Sequence, residues 1–282
     1  MKLIAIDLDG TLLSSNNEIS TENIEALREA QNQGNIVMIC SGRAPEDIQQ
    51  IMQKYDFSCP LAGSNGTVIQ ADGKLLDSIS MNKEDVIKVA EKLDDHRVPY
   101  RVYTNHGIYV PGDWTERISE NKEKINVEGL TDDMYRRMTE QPQKSNLIKN
   151  FANYMDLFNE SDLTVQKFFI LTVNTDIKSK LASIFGRIPN IVTTTSGPWN
   201  LEVMDQDGNK GYALKKMAEY FSIPLEDTVA MGDNFNDAPM LQVAGLSIAM
   251  GNADPQVKEM SDRVTLSNDE NGVAHAIETY IE

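Results

Sequence analysis

Short apolar runs that end in polar turns alternate along this chain with segments of helical periodicity. The first run, Leu3–Ile6, stops at Asp7, and an apolar run this short that is bounded by a turn predicts a buried strand. Ser20 is placed to cap a helix over Glu22–Gln33, and Ile36–Cys40 is the next apolar run. Strands that alternate with helices predict right-handed crossovers and a parallel sheet.

The alternation changes in the middle of the chain and returns near its end. A hairpin is predicted where Thr67–Gln70 and Lys74–Ile79 flank an Asp-Gly turn. From about residue 82 the pattern is that of an α+β region, with a helix over 84–93, a strand over 165–173 and a hairpin over 191–204, while 115–144 is polar and predicts no element. The later elements are a helix at Lys210–Phe221, a strand at Thr228–Met231, a helix at Asp237–Ala244, a strand at Leu246–Met250 and a terminal helix from Gly272.

This pattern predicts an α/β protein with a doubly wound, Rossmann-like parallel core sheet and an inserted α+β domain. We expect the core to be discontinuous, formed by residues 1–81 and 206–282, with the insert at 82–205.

Acidic residues follow two of the predicted strands. Asp7 and Asp9 come directly after the first strand, and alternation places them on the same side. Gly10 allows a sharp turn there, although an Asp-Gly pair is also an ordinary turn. Asp233 and Asp237 follow the strand that ends at Met231. Because ligands in open α/β sheets bind at the carboxyl ends of the strands, these carboxylates are expected to meet at one edge.

Carboxylates that converge in this way need a positive partner. At ~5 Å two of them repel by roughly 3 kcal/mol at an effective dielectric constant of 20. A hard divalent cation suits their oxygen atoms. Two carboxylates around a cation also allow Asp7 to attack phosphorus and Asp9 to act as general acid and base.

Two further residues complete a site for a phosphoryl group. Ser41 follows the second strand and offers a hydroxyl, and Lys210 begins a helix and offers a cation. The backbone amides of the turn after Asp7, at Gly10 and Thr11, add donors. Taken alone, Lys210 would be a solvated lysine and Ser41 a helix cap.

Composition limits the partners. The 282 residues carry a formal net charge of −17, which argues against nucleic acid and anionic membranes as partners. The two cysteines, Cys40 and Cys59, lie at the ends of apolar runs and are expected to be buried free thiols. No apolar segment approaches the ~20 residues of a membrane span, and no signal peptide is recognised, so we expect a cytoplasmic protein. The oligomeric state is left open.

The ordered acidic and basic motifs resemble those of the haloacid dehalogenase-like (HAD) phosphatase superfamily. The first motif is Asp7 to Leu12, and the other three are matched in order by Ser41, Lys210 and the segment Gly232–Asp237. The strings around Met240–Ala253 and Gly272–Ala274 are similar to the Cof-type hydrolases of subclass IIB, and Ser41-Gly42-Arg43 and Ser64-Asn65-Gly66 fit the same group.

The resemblance implies roles for these residues. Asp7 would be the nucleophile and Asp9 the general acid and base. Mg²⁺ would be held by the Asp7 carboxylate, the Asp9 backbone carbonyl and Asp233, with Asp237 acting through water and orienting Lys210. Ser41, Gly42, Lys210 and the amides of Gly10 and Thr11 would bind the phosphoryl oxygens. Asn236, Arg43 and Asn65 are further candidates whose roles the resemblance does not fix.

The predicted function is therefore a magnesium-dependent phosphatase of small phosphorylated metabolites, such as sugar phosphates, that acts through an aspartyl-phosphate. A phosphomutase would share every core motif, because it differs only in returning the phosphoryl group to substrate. Two alternatives of another class are a phospho-aspartate receiver and a metabolite sensor. The base two residues after Asp7 and the large insert argue against a receiver.

Overall fold

The computed structural model describes residues 1–122 and 148–281, and the chain divides into two compact units. The core unit consists of Met1–Ser78 and Asp207–Glu282, and the insert unit of Ile79–Gln206. The assignment of residues 82–205 to an inserted cap that selects the substrate stays a prediction, and residues 123–147 of that range lie outside the described residues.

The described strands are, in chain order, β1 (Leu3–Ile6), β2 (Ile36–Cys40), β3 (Leu61–Gly63), β4 (Val68–Ala71), β5 (Lys74–Ser78), β6 (Tyr100–Thr104), β7 (Gly107–Pro111), β8 (Ile148–Phe151), β9 (Val165–Leu171), β10 (Ile191–Thr194), β11 (Asn200–Asp205), β12 (Thr228–Gly232), β13 (Leu246–Ala249) and β14 (Arg263–Val264). The described helices are α1 (Thr21–Asn32), α2 (Pro45–Lys54), α3 (Lys83–Asp95), α4 (Trp114–Lys122), α5 (Thr175–Phe185), α6 (Lys210–Tyr220), α7 (Ala238–Val243), α8 (Pro255–Glu259) and α9 (Gly272–Tyr280).

The core unit is built on an eight-stranded sheet in the order β14-β13-β12-β1-β2-β3-β4-β5. The strands from β14 to β3 are parallel, and β4 and β5 add an antiparallel hairpin at one edge. Strand β1 lies between β12 and β2, with Leu3 opposite Thr228 on one side and Ile36 on the other. The carboxyl ends of these three strands therefore share one edge. The predicted doubly wound α/β fold is confirmed.

The core packs around β1, because helices cover both faces of a parallel sheet. All four residues of β1 are fully buried, as an unbroken apolar strand requires. Helix α1 begins at Thr21 rather than at the predicted Glu22, and its predicted cap is present, since the Ser20 side chain accepts a hydrogen bond from the backbone amide of Asn23. Its inward face buries Ile24 and Leu27, each of which contributes about 1.5–3 kcal/mol relative to an exposed side chain.

Outside residues 123–147, the insert unit has a six-stranded sheet in the order β10-β11-β9-β6-β7-β8, and only the β7–β8 pairing among these strands is parallel. Apolar side chains of α3 and α5 pack on one face of it with Tyr100 and Phe168, and all of these residues belong to one hydrophobic cluster. The mixture of helices and antiparallel strands agrees with the α+β prediction.

Helix α4 and strand β8 were not predicted, because neither has a clear apolar period in the sequence. Helix α4 reads as mostly polar, yet Trp114 at its start is only 2% exposed and packs with Val110 and Leu171. Strand β8 carries two exposed polar residues and lies at the edge of its sheet. Over the described ranges, no helix is both long and apolar enough to cross a membrane.

The turn that follows β3 has an uncommon backbone. Ser64, Asn65 and Gly66 have successive φ angles of +52°, +64° and +88°, in the left-handed region. A Cβ on Gly66 would lie 2.5 Å from the carbonyl oxygen of Asn209, the residue that caps α6. Glycine at this position therefore lets the turn approach the start of α6 closely.

We expect Gly66→Ala to destabilise the protein more than Gly34→Ala, as measured by urea unfolding. Gly34 has nearly the same φ, +86°, but a Cβ there meets no atom within 4 Å. Gly34→Ala should therefore cost only the left-handed strain of about 1–2 kcal/mol. Gly66→Ala should cost at least ~1 kcal/mol more, because its methyl group also meets backbone. Equal losses would show that the close approach to Asn209 contributes nothing.

Candidate active site

Asp7 lies one residue beyond the end of β1, and its environment is unusual for a carboxylate. It is 4% exposed, and its backbone amide donates to the carbonyl of Met231 at the end of β12. Burial first, and then repulsion by Asp237, raise the pKa of Asp7 well above its usual range, against the opposing charge of Lys210. A buried carboxylate at a strand end needs positive partners to remain ionised.

Lys210 supplies one such partner. It begins α6 and is fully buried, and its Nζ donates to Asp7 Oδ1 at 2.6 Å and to Asp237 Oδ1 at 2.5 Å. Burial alone would lower the pKa of Lys210, but the carboxylates of Asp237 and Asp7 outweigh it, so its pKa is raised. Two carboxylates thus share one ammonium, so the negative charge of Asp7 is only partly neutralised.

Asp237 is bound on both of its oxygens. While Oδ1 accepts from Lys210, Oδ2 accepts from the backbone amides of Asp233 and Asn234 at 2.9 and 3.0 Å. These bonds close the turn between β12 and α7. Asp237 therefore orients the Lys210 ammonium and shapes the loop that carries Asp233.

Asp233 completes an acidic cluster. Oxygen atoms of Asp7, Asp233 and Asp237 lie within 4.8 Å of one another. Burial, followed by repulsion from Asp237, raises the pKa of Asp233 to about 7, although a hydrogen bond from Thr11 acts in the other direction. Three carboxylates and one ammonium leave a net negative charge, so the cluster has the oxygen ligands and the charge that suit a hard divalent cation.

The turn after Asp7 approaches Asp233 closely. Gly10 has φ +81°, and a Cβ there would lie 2.5 Å from Asp233 Oδ2. The Thr11 hydroxyl donates to Asp233 Oδ1 at 2.9 Å, and the Thr11 amide donates to the carbonyl of Leu8 at 3.2 Å. Both groups of Thr11 are thus engaged within the protein, and its predicted contact with phosphate stays a prediction.

Asp9 has a different environment from Asp7, although only Leu8 separates them. Its carboxylate accepts two hydrogen bonds from Arg43, one at 2.6 Å and one at 2.8 Å. The Asp9 side chain is 51% exposed, whereas Asp7 is buried. Arg43, a candidate without an assigned role in the sequence, is thus the partner of Asp9.

Ser41 and Gly42 follow β2 at the same edge of the sheet. Ser41 is fully buried, and its backbone amide donates to the Ala62 carbonyl at 2.9 Å. Its hydroxyl accepts from the Arg43 amide at 3.3 Å, and its carbonyl accepts from the Asn65 amide at 2.9 Å. The loop after β2 is therefore tied to the turn after β3.

Asn65 and Asn236 meet across 171 residues of sequence. The Asn236 Nδ2 donates to Asn65 Oδ1 at 3.2 Å, and both residues are buried. Asn236 Oδ1 is a buried atom without a hydrogen-bond partner among the described residues. An unpaired buried oxygen is costly, so this amide is suited to a bound group next to Asp233 and Asp237.

Residues that were not predicted as part of the site support its loops. Asn252 Nδ2 donates to the Gly10 carbonyl at 2.8 Å, and Asn252 Oδ1 accepts from the Asn268 amide. The Asp254 amide donates to the Asp233 carbonyl at 3.1 Å. Asn252 lies in a string similar to the family, but which carbonyl it would contact is a property of tertiary structure.

Comparisons with known proteins agree with this geometry. Residues 4–277 match the model of the haloacid dehalogenase-like hydrolases. The chain is 34% identical over 281 residues to the phosphatase YwpJ of Bacillus subtilis (strain 168), with 98% of each chain covered. It is also 34% identical to the 5-amino-6-(5-phospho-D-ribitylamino)uracil phosphatase YwtE of the same strain, with 99% of this chain and 97% of the relative covered.

The fold agrees as well. A solved structure of a haloacid dehalogenase-like hydrolase from B. subtilis superposes with a TM-score of 0.85 at 30% identity and covers 100% of both chains. The family match spans nearly the whole sequence, and the resemblance inferred from the motifs is confirmed. The chain belongs to the haloacid dehalogenase-like hydrolase family and is a phosphatase.

Proposed function

We propose that this phosphatase is magnesium-dependent and hydrolyses small phosphorylated metabolites, sugar phosphates or similar monoesters, through an aspartyl-phosphate on Asp7. The observation that carries the proposal is the buried Asp7 carboxylate, which is bonded through Oδ1 to Lys210 and has an oxygen within 4.8 Å of oxygens of Asp233 and Asp237.

Asp7 is the proposed nucleophile. The Lys210 bond fixes Oδ1, while Oδ2 accepts no hydrogen bond from the residues that the structure describes. A carboxylate oriented in this way attacks phosphorus without first breaking several hydrogen bonds. The Asp9 pair with Arg43 is half-exposed and lies outside this buried group, which is consistent with a separate role as acid and base.

Mg²⁺ fits the acidic cluster. Asp7 and Asp233 would hold it with their carboxylates and Asp9 with its backbone carbonyl, and Asp237 would act through water while it orients Lys210. When bound, the ion supplies positive charge that keeps the buried carboxylates ionised and neutralises the phosphoryl oxygens. Burial and repulsion by Asp237 raise the pKa of Asp7 and of Asp233, and a bound cation would oppose both effects.

The phosphoryl group is proposed to bind at the edge formed by three loops. Ser41 and Gly42 follow β2, Lys210 begins α6, and the amides near Gly10 follow β1. These donors act by electrostatic stabilisation of a charge that is spread over the phosphoryl oxygens. Asn236 is a further candidate for the site but not one of these donors, because its unpaired buried atom is an oxygen, which accepts hydrogen bonds and suits a cation or a bound water.

The net charge and the relatives support the proposed substrate class. With a net charge of −17, the chain is suited to small anions drawn to a local cationic group rather than to polyanions. One relative acts on a phosphoribitylamino-uracil, which is a phosphorylated sugar alcohol joined to a base. We propose that the insert unit selects the leaving group. Formation of a phosphate isomer in place of free phosphate would make the enzyme a phosphomutase.

Asp7→Asn should abolish phosphate release from 4-nitrophenyl phosphate and sugar phosphates, with a loss on the order of 10³ or more. The amide cannot form the phosphoryl bond, so acid-quenched mass spectrometry should find the adduct on Asp7 in the wild type alone. Thermal melts should show an intact fold. Asp56→Asn, at an exposed aspartate of the same unit, is the matched control and should keep full activity. Substantial turnover by Asp7→Asn would exclude Asp7 as the nucleophile.

Asp233→Asn should remove the stabilisation by Mg²⁺ as well as activity. A ligand at 100 times its Kd stabilises the folded state by about 2.7 kcal/mol, which calorimetry of wild type with Mg²⁺ and with a chelator should detect. In Asp233→Asn this difference should shrink, because one carboxylate ligand is lost. An unchanged Mg²⁺ effect in the variant would place the ion elsewhere, and activity indifferent to chelation would contradict the metal requirement.

In the presence of a chelator, stability should decrease as the pH rises from about 4 to about 7. The pKa of Asp233 is raised from 3.8 to about 7 in the folded chain, and that of Asp7 is raised as well, so the folded state binds more protons than the unfolded state over this window. Urea unfolding at a series of pH values measures how steeply the free energy of unfolding falls with pH. This slope should be smaller in magnitude in Asp233→Asn. A slope of the opposite sign that persists in the variant would contradict the assigned environment of Asp233.

A further inference from the structure

Among the residues that the structure describes, a single side chain holds the carboxylate proposed as acid and base. Asp9 Oδ1 accepts from Arg43 Nη2 at 2.6 Å, and Asp9 Oδ2 accepts from Arg43 Nε at 2.8 Å. Within residues 1–122 and 148–281, no other group donates to this carboxylate. Because the Asp9 side chain is 51% exposed, little packing restricts its rotation. The orientation of Asp9 therefore depends on Arg43.

Arg43 is itself anchored in the loop proposed to bind phosphate. Its backbone amide donates to Ser41 Oγ at 3.3 Å, and its carbonyl accepts from the Ser64 amide at 2.7 Å. The guanidinium fork thus extends from a loop that is fixed on both sides. A planar fork that bonds both oxygens of a carboxylate fixes its plane, which a lysine at the same position cannot do.

We propose that Arg43 is a positioning residue, which orients Asp9 toward the ester oxygen of the substrate from the phosphate-binding loop. The proposal rests on the proposed function. A carboxylate has about four lone-pair sites, of which Arg43 occupies two. One site on each oxygen remains for a proton, so Asp9 can transfer protons while it is held.

Asp9 gives up one proton and regains one in each turnover. In the first half-reaction, an Asp7 oxygen forms a bond to phosphorus, the bond from phosphorus to the ester oxygen breaks, and the proton of Asp9 goes to that oxygen. In the second, water bonds to phosphorus, the bond to Asp7 breaks, and the Asp9 carboxylate takes a proton from the water. Asp9 then holds the proton that the next substrate requires.

This role has a signature that a purely structural role lacks. An alkyl leaving group needs a proton as it departs, whereas 2,4-dinitrophenolate leaves without one. A residue that acts through the general acid should therefore matter for alkyl esters and hardly for 2,4-dinitrophenyl phosphate. The value of kcat/KM is the appropriate measure, since it includes only the steps up to the first irreversible one.

The experiment compares wild type, Arg43→Gln, Arg43→Lys, Asp9→Asn and the double variant Arg43→Gln/Asp9→Asn. Each is assayed on 2,4-dinitrophenyl phosphate and on three alkyl esters: glucose 6-phosphate, ribitol 5-phosphate and glycerol phosphate. Arg28→Gln is the matched control, because Arg28 donates to the backbone carbonyl of Tyr55 at the surface of the same unit. Thermal melts with Mg²⁺ report on folding.

We expect Arg43→Gln to lower kcat/KM on the alkyl esters by on the order of tenfold, a part of the roughly 10²–10⁴-fold that a general acid contributes. The loss on 2,4-dinitrophenyl phosphate should be below about threefold. Arg43→Lys should recover part of the loss. In the Asp9→Asn background, Arg43→Gln should cost nothing further, because its effect passes through Asp9.

Three results would overturn the proposal. Equal losses on both kinds of ester would assign Arg43 to phosphate binding or folding. Unchanged or faster hydrolysis of the alkyl esters would mean that Arg43 merely restrains Asp9. A loss that adds to that of Asp9→Asn would separate the two residues. If wild type hydrolysed none of the esters, the proposed function itself would fail, and the role of Arg43 with it.

Discussion

The candidate site depends on one buried ammonium that holds two carboxylates from distant parts of the chain. Lys210 lies 203 residues from Asp7 and 27 from Asp237, and it bonds to both. Removing all three groups from water is unfavourable, and their mutual attraction offsets this only when the geometry is good. The arrangement therefore makes the end of β1, the turn before α7 and the start of α6 a single electrostatic unit.

The surrounding loops approach this unit closely at positions where only glycine fits. Gly10 brings the first turn against the Asp233 carboxylate, and Gly66 brings the turn after β3 against the cap of α6. Side-chain amides then fix the loops, as where Asn252 donates to the Gly10 carbonyl. The donors and carboxylates are thus held before a substrate arrives, which is the arrangement that electrostatic catalysis requires.

The two aspartates of the first loop are close in sequence but lie in different environments. Asp7 is buried beside an ammonium that it shares, and Asp9 is half-exposed beside a guanidinium. Two carboxylates in different surroundings can perform different chemistry, one as a nucleophile and the other as an acid and base. A buried lysine and a half-buried arginine fork are suited to these two tasks, because the first neutralises charge and the second fixes a plane.

The sequence by itself determined the elements and the ordered chemistry of this protein. Apolar runs such as Leu3–Ile6 and Ile36–Cys40 became strands with the predicted bounds, and the hairpin around Asp72 formed as expected, because burial period and turn chemistry are local properties. The order of Asp7, Ser41, Lys210 and Asp233 was enough to identify the family. Helix α4 and strand β8 were missed, because their stability comes from neighbours such as Val110 and β7 rather than from their own period.

Only the tertiary structure decided which of these side chains share a partner. Three contacts join residues that are far apart in the sequence: Arg43 with Asp9, Thr11 with Asp233, and Asn236 with Asn65. The local sequence fixes each residue at a strand end, but the direction of its side chain depends on the loop conformation and on the charges that the neighbouring strands supply. Local propensity could therefore place the site at this edge of the sheet. Long-range electrostatics and loop packing determined which of its side chains form hydrogen bonds with one another.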